Sequence, residues 1–157
     1  MMQLYPWHEK IIGLLLESDV SFLLIGGYAV NYYGYVRPTG DIDIWLKPDE
    51  VTKSAFLAML EKAGISNESR SHIARLDFTA TAAFHIGQEP FRFDFLTRIN
   101  GVAFDEAWNS RLVLKLGNLE LPIISRNHLI LSKISTNRTQ DKLDVEELQK
   151  LSGNAPL

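Results

Sequence analysis

Three aspartates and a pair of glycines are the residues in this chain of 157 whose types and spacing could do chemistry together. Asp41 and Asp43 stand two apart in the run Gly40-Asp41-Ile42-Asp43-Ile44. On a β-strand, residues two apart point to one face, so the pair would offer two carboxylates side by side as a Mg2+ platform. Gly26-Gly27 closes the apolar run Phe22 to Ile25 and would present bare backbone N–H groups to a phosphate. Asp94 lies in Phe91-Arg92-Phe93-Asp94-Phe95-Leu96. The period of two there sets the phenylalanines on one face and Arg92, Asp94 and Leu96 on the other. From an adjacent strand Asp94 would meet Asp41 and Asp43; the competing reading is a surface aspartate paired with Arg92 or Arg98.

At an effective dielectric near 20, two like charges about 4 Å apart repel by roughly 4 kcal/mol, so three gathered carboxylates require a cation. Two Mg2+ ions would satisfy them. One, held by Asp41, Asp43 and Asp94, would activate an attacking hydroxyl; the other, held by Asp41 and Asp43, would neutralise a triphosphate and its pyrophosphate leaving group. Asp94 is also placed to act as general base for that hydroxyl. The pattern predicts a nucleotide-handling metal site.

The elements that must position these residues follow from pattern and punctuation. Trp7 to Glu17 reads as a helix with Ile11, Ile12, Leu15 and Leu16 at helical spacing, ended by Ser18-Asp19. Phe22 to Ile25 is a buried strand, Tyr28 to Tyr35 a short helix, and Pro38 with Gly40 breaks the chain before the strand of Asp41 and Asp43. The glycine pair would thus sit at a helix N-terminus, whose dipole favours an anion. Pro48-Asp49-Glu50 starts a helix that runs to about Ala63 and stops at Gly64. One or two strands are predicted over Ile73 to Ile86, another over Phe91 to Leu96, and a hairpin from Leu112 to Leu116 and Leu119 to Ile124 around Gly117-Asn118. Ser125 caps a helix through about Ile134, and a last helix spans Thr139 to Leu151. The sum is one α/β domain over 1–157, a small mixed sheet flanked by helices, with C-terminal helices from about 125.

Composition narrows the partners. A formal net charge of -3 argues against strong, sequence-blind attraction to nucleic acid. The absence of cysteine excludes disulfides and Cys-ligated zinc and suits a reducing, cytoplasmic setting. The apolar run near the start is too short and too flanked by charge for a membrane span, and nothing resembles a secretion signal. His8, His72, His85 and His128 have no zinc-site spacing. Tyr28, Tyr32, Tyr33 and Tyr35 could stack on a nucleobase, although a cluster of this kind also packs a core. No hydrolase nucleophile elbow and no Gly-x-x-x-x-Gly-Lys loop is present.

Taken in order, Gly26-Gly27, Asp41-x-Asp43 and a later lone Asp94 resemble the polymerase-β-type nucleotidyltransferase superfamily. The stretch GGYAVNYYGYVRPTGDIDIWL is similar to its short lincosamide-type and AbiEii-type members, and LILSKISTNRTQDKLDVEEL is similar to the Lys, Arg and paired-Asp segment that follows the sheet in them. The resemblance implies that Gly26 and Gly27 hold nucleotide phosphates, that Asp41, Asp43 and Asp94 bind metal, and that Arg37 and Thr39 flank the triphosphate. It further implies that Lys133 and Asp141 line the nucleotide or acceptor side. Otherwise Lys133 is a helix-surface charge, and Arg138, Asp141 and Asp144 are an ordinary salt-bridged helix entry. Many superfamily members carry Ser after the first Gly; Gly27 leaves only backbone contact there. The expected reaction moves a nucleoside monophosphate from an NTP such as ATP to an acceptor hydroxyl on a small molecule such as an antibiotic, on RNA or on a protein. A homodimer would complete the acceptor site. The alternative is a non-catalytic module that binds nucleotide or a partner on a degenerate transferase fold.

Overall fold

A computed structural model describes residues 4–154 of the chain; the outermost residues of the 1–157 domain lie outside them. The expected α/β architecture is what forms: a six-stranded mixed sheet flanked by helices. In chain order the elements are α1 (Pro6–Glu17), β1 (Phe22–Ile25), α2 (Gly26–Tyr32), β2 (Ile42–Leu46), α3 (Glu50–Lys62), α4 (Asn67–Ala74), β3 (Ala83–Ile86), β4 (Phe93–Leu96), α5 (Phe104–Asn109), β5 (Leu112–Leu116), β6 (Leu119–Ile123), α6 (Arg126–Ile134) and α7 (Thr139–Asn154). The strands lie in the order β3-β4-β2-β1-β6-β5.

Local chemistry explains most boundaries. Pro6 begins α1 where its missing N–H goes unneeded. Asp49 accepts from the Thr52 N–H to cap α3, and Ser125 accepts from the His128 N–H to cap α6. The β1 side chains are all buried, as a central strand covered on both faces requires. Gly117, at φ 59, makes the β5–β6 hairpin turn.

The centre of the sheet fixes the distances that matter. β1 runs antiparallel to β2 with Ile25 opposite Asp43, and β2 runs parallel to β4 with Asp43 beside Asp94. Along β4 the pleat buries Phe93 and Phe95 and turns Asp94 to the other face. The buried side joins an aromatic cluster in which Phe95 lies 4.9 Å from Phe56 of α3 and 5.4 Å from Phe84 of β3, ring centre to ring centre. The face bearing Phe93 and Phe95 is anchored by that cluster. On the other face, which Asp43 and Asp94 share with Trp45, Trp45 packs 5.1 Å from Phe104 of α5 and donates its indole N–H to the Thr97 carbonyl at 3.0 Å.

Four expectations need correction. Residues 67–74 form α4, so only Ala83–Ile86 of the stretch read as strand is β. Ile73 is the buried residue of α4, too little apolar periodicity to announce a helix. Strand β4 begins at Phe93, because Phe91 leaves the ladder to pack against Tyr5 at 5.0 Å. Helix α2 begins at Gly26 itself and ends at Tyr32, two residues earlier at its start and three earlier at its end than the pattern suggested. Asp41 stands just ahead of β2, whose first residue is Ile42.

Candidate active site

Gly26, Gly27, Arg37, Thr39, Asp41, Asp43, Asp94 and Lys133 all line one cleft of about 260 Å³ where β1 ends and β2 and β4 begin. They come from four separate segments of the chain, so it is the sheet register that gathers them. A larger groove, of about 700 Å³, lies between the start of α1 and the β5–β6 turn, but its lining offers only Glu9 and Lys10 as charged groups. The smaller cleft is the one equipped for chemistry.

The glycines are there because two other side chains need their space. Gly26 has φ +70, and a Cβ on it would strike the Asp43 carboxylate; a Cβ on Gly27 would strike Thr39 Oγ1. The anion that the Gly27 N–H meets in this structure is the Asp43 carboxylate.

Asp43 is well buried in the cleft. Burial, reinforced by the charges of Asp94 and Asp41, pushes its carboxyl up to about 7, with Lys133 and the Gly27 N–H pulling the other way. Burial raises Asp41 and Asp94 as well, and these two carboxyls hydrogen-bond each other. Among the described residues Asp41 Oδ1 is buried without a hydrogen-bond partner, and the neighbouring Glu89 carboxyl raises Asp41 further. Arg92 reaches both: its Nη2 lies 2.9 Å from Asp94 Oδ1 and its Nε 3.5 Å from Asp41 Oδ2. The competing reading of Asp94 is thus half realised, since it pairs with Arg92 and also faces the other aspartates. Arg98 donates instead to the Thr79 carbonyl at 2.7 Å. Among the described residues, no three His, Cys, Asp or Glu side chains are drawn together in a geometry that already closes on a metal ion.

The opposite wall is a buried charge network that sequence reading took for a possible surface feature. Asp144 is fully buried and accepts from Arg37 Nε and Nη2, both at 2.8 Å, and from Gln140 Nε2 at 2.9 Å. Lys133 Nζ lies 3.0 Å from Asp144 Oδ2 and 2.9 Å from Asp141 Oδ1. Burial alone would raise both aspartates, but the hydrogen bonds from Arg37 and Lys133 to Asp144, and from Lys133 and Thr136 to Asp141, hold their carboxyls below the usual range. The helix-surface reading of Lys133 is therefore wrong: its side chain is buried between two carboxylates, Asp141 and Asp144. Asp144 was not among the expected site residues; nothing local marks it, because its partner Arg37 is 107 positions away.

Tyr28 is buried, and Tyr33 donates to the Ile124 carbonyl at 2.6 Å, so both help seat α2 on the sheet. The histidines are scattered: His8 is packed beneath Phe91 and Phe93, and His72 and His85 are exposed.

The raised Asp43 carboxyl has a signed consequence for stability. Between its ordinary value of 3.8 and about 7 the folded state holds a proton that the unfolded chain releases. Folded stability then falls by about 1.4 kcal/mol per pH unit across that window. Metal-free wild type and Asp43→Asn are expected to melt together near pH 4 and to separate progressively up to about pH 7, with wild type the lower. Parallel melting curves in EDTA across that range would refute the assignment.

None of the protein-family models matches the sequence, and no curated protein matches it. Among solved structures, the lincosamide antibiotic adenylyltransferase LnuA in its lincomycin-bound crystal form superposes with a TM-score of 0.51 at 16% sequence identity, over 90% of this chain and 94% of that one. At that identity the likeness is one of fold: the chain has the mixed α/β fold of a nucleotidyltransferase. Among the described residues, no helix is long and apolar enough to cross a membrane.

Proposed function

We propose that the protein is a Mg2+-dependent nucleotidyltransferase of the polymerase-β type, moving a nucleoside monophosphate from an NTP to an acceptor hydroxyl. The observation that carries this reading is the convergence of all eight expected residues on one polar cleft. A fold alone would not carry it.

The chemistry of the donors, rather than a ligand set already closed, supports a divalent ion. Three raised carboxyls and an orphaned, buried Asp41 oxygen are donors without adequate compensation. In and behind the cleft, aspartates at 41, 43, 94, 141 and 144 outnumber the cations Arg37, Arg92, Lys133 and Arg138. A polyanionic triphosphate could not be held there by protein charge alone. Asp41, Asp43 and Asp94 would hold the metal, which supplies charge neutralisation at the phosphates and a more acidic acceptor hydroxyl. The chain's own part is positional. Asp94, on the outer side of the trio, would take the acceptor proton, while Arg37 and Lys133, immobilised by Asp144, would set the opposite wall against the triphosphate.

The cleft contains no aromatic lining, so an apolar acceptor would have to dock beside it rather than in it. A lincosamide-like small molecule, as for LnuA, is the first acceptor class to try; RNA and a protein hydroxyl are the others. A homodimer could supply the missing acceptor surface. The test is incubation with each α-labelled NTP, Mg2+, and in turn a lincosamide panel and a cell extract resolved into small molecules, RNA and protein. Label in one fraction together with pyrophosphate release supports the reading. NTP binding with no label transferred to any fraction would favour the non-catalytic module.

A further inference from the structure

Arg92 stands where a cation between Asp41 and Asp94 would stand. Its Nη2 and Nε lie 2.9 and 3.0 Å from the same Asp94 oxygen, and Nε also lies within 3.5 Å of Asp41 Oδ2. We propose that Arg92 is a built-in counter-cation that competes with the divalent ion for Asp41 and Asp94, so that loading the metal requires the guanidinium to swing away. This rests on the metal-dependent reading above.

Guanidinium chemistry, the exposure of the side chain and the anchoring of its backbone support the competition. A guanidinium cannot lose its proton to make room, so the only way to free the shared oxygens is movement of the side chain. Arg92 is able to move: its side chain is 36% exposed at the rim of the cleft. Arg37, at 16% exposed and donating two hydrogen bonds to a fully buried carboxylate, is not. The main chain at Arg92, by contrast, is fixed, because its carbonyl accepts from the Ile42 N–H at 3.2 Å. The arrangement is a pinned backbone with a releasable charge, positioned so that Asp94 keeps its register while its partner changes.

The device explains how carboxylates at this spacing are tolerated before substrate arrives, and it gives loading an order. A free divalent ion must evict Arg92 into solvent. An ion arriving with a nucleotide brings phosphates that can accept the displaced guanidinium, so metal and nucleotide would enter together. Arg92 is in this sense a positioning residue, acting through the two aspartates.

The test is Mn2+ binding, followed by the loss of the free-ion EPR signal, for wild type, Arg92→Gln and Arg92→Lys, without nucleotide and with a non-hydrolysable ATP analogue. Thermal melting in EDTA and in Mn2+ accompanies it. Without nucleotide, Arg92→Gln is expected to bind Mn2+ about tenfold more tightly than wild type. It should melt lower in EDTA yet gain more on adding Mn2+, a crossing that a merely structural arginine would not produce. Arg92→Lys, which keeps the charge but loses the fork, should fall between and serves as the readout if the Gln variant does not fold. Equal or weaker Mn2+ binding by the folded variants overturns the role of Arg92 and leaves the transferase reading standing. No Mn2+ binding by any of the proteins, even with the analogue, removes both.

Discussion

Asp43→Asn is expected to lower nucleotidyl transfer about a thousandfold while raising the melting temperature of the metal-free protein. The two effects have one cause. Asp43 is the most buried of the three cleft aspartates, set between the Gly26-Gly27 turn and Asp94. Under the proposed function, withdrawing its charge would remove a metal donor, and a catalytic metal contributes several kcal/mol at a transition state, each 1.36 kcal/mol of which is a factor of ten. In EDTA at pH 8 the same charge is a burden, because a carboxyl raised to about 7 destabilises the fold by roughly 4 kcal/mol relative to its unfolded value. A neutral isostere relieves most of that, a gain of roughly 5–15 °C for a chain of this size. Transfer assays and melting curves on one preparation check both. A variant that melts lower as it loses activity has suffered a folding lesion, and one as active as wild type excludes Asp43 from the metal site.

The second large effect lies away from the carboxylate trio. Asp144→Ala leaves Arg37 without its two hydrogen bonds and takes from Lys133 one of its two carboxylate partners, inside a wall where Asp144 itself has no exposure. Deleting one partner of a buried charge network costs about 3–5 kcal/mol, here because Arg37 stays largely buried without its carboxylate while Lys133 keeps only Asp141. A fall of roughly 10 °C in melting temperature is expected, with weaker NTP binding in whatever fraction stays folded. Chemical denaturation with the nucleotide analogue present and absent measures both. A loss under about 1 kcal/mol would mean that water or Asp141 already compensates Arg37 and Lys133.

What could be read in the sequence, and what could not, divides along a physical line. Strand β1, the Asp-x-Asp strand, the β5–β6 hairpin and the capped helices α3 and α6 were legible, because apolar runs, turn glycines and caps are local signals. Helix α4 carries no helical stripe to announce it, and the strand expectation from Ile73 onward overlaps only its last two residues. Helix α5, six residues long with Phe104 and Ala107 buried, passed unread. Gly26, Gly27, Arg37, Thr39, Asp41 and Asp43, six of the cleft residues, belong to the glycine and Asp-x-Asp stretch, where adjacency in sequence is adjacency in space. Lys133 could be placed only through the resemblance, and Asp144 not at all. Buried charges carry the same letters as surface charges, and only tertiary pairing, here from Asp144 to Arg37, distinguishes them. Arg92 had a local clue: it stands two residues before Asp94 on the same face, and that pairing is the one the structure makes.

The pairing of β2 with β4 has a further meaning. Asp43 stands beside Asp94 for the same reason that Phe95 stands in the aromatic core, since both are consequences of one set of ladder bonds. A slip by a single residue would carry Asp94 into the hydrophobic interior and expel Phe93 and Phe95. No half-slipped chain can keep the cleft, and no chain with the cleft intact can have a disordered centre. Under the proposed function, transfer activity and the order of the aromatic core should therefore be lost together, so that specific activity would report the fraction of molecules with this register intact.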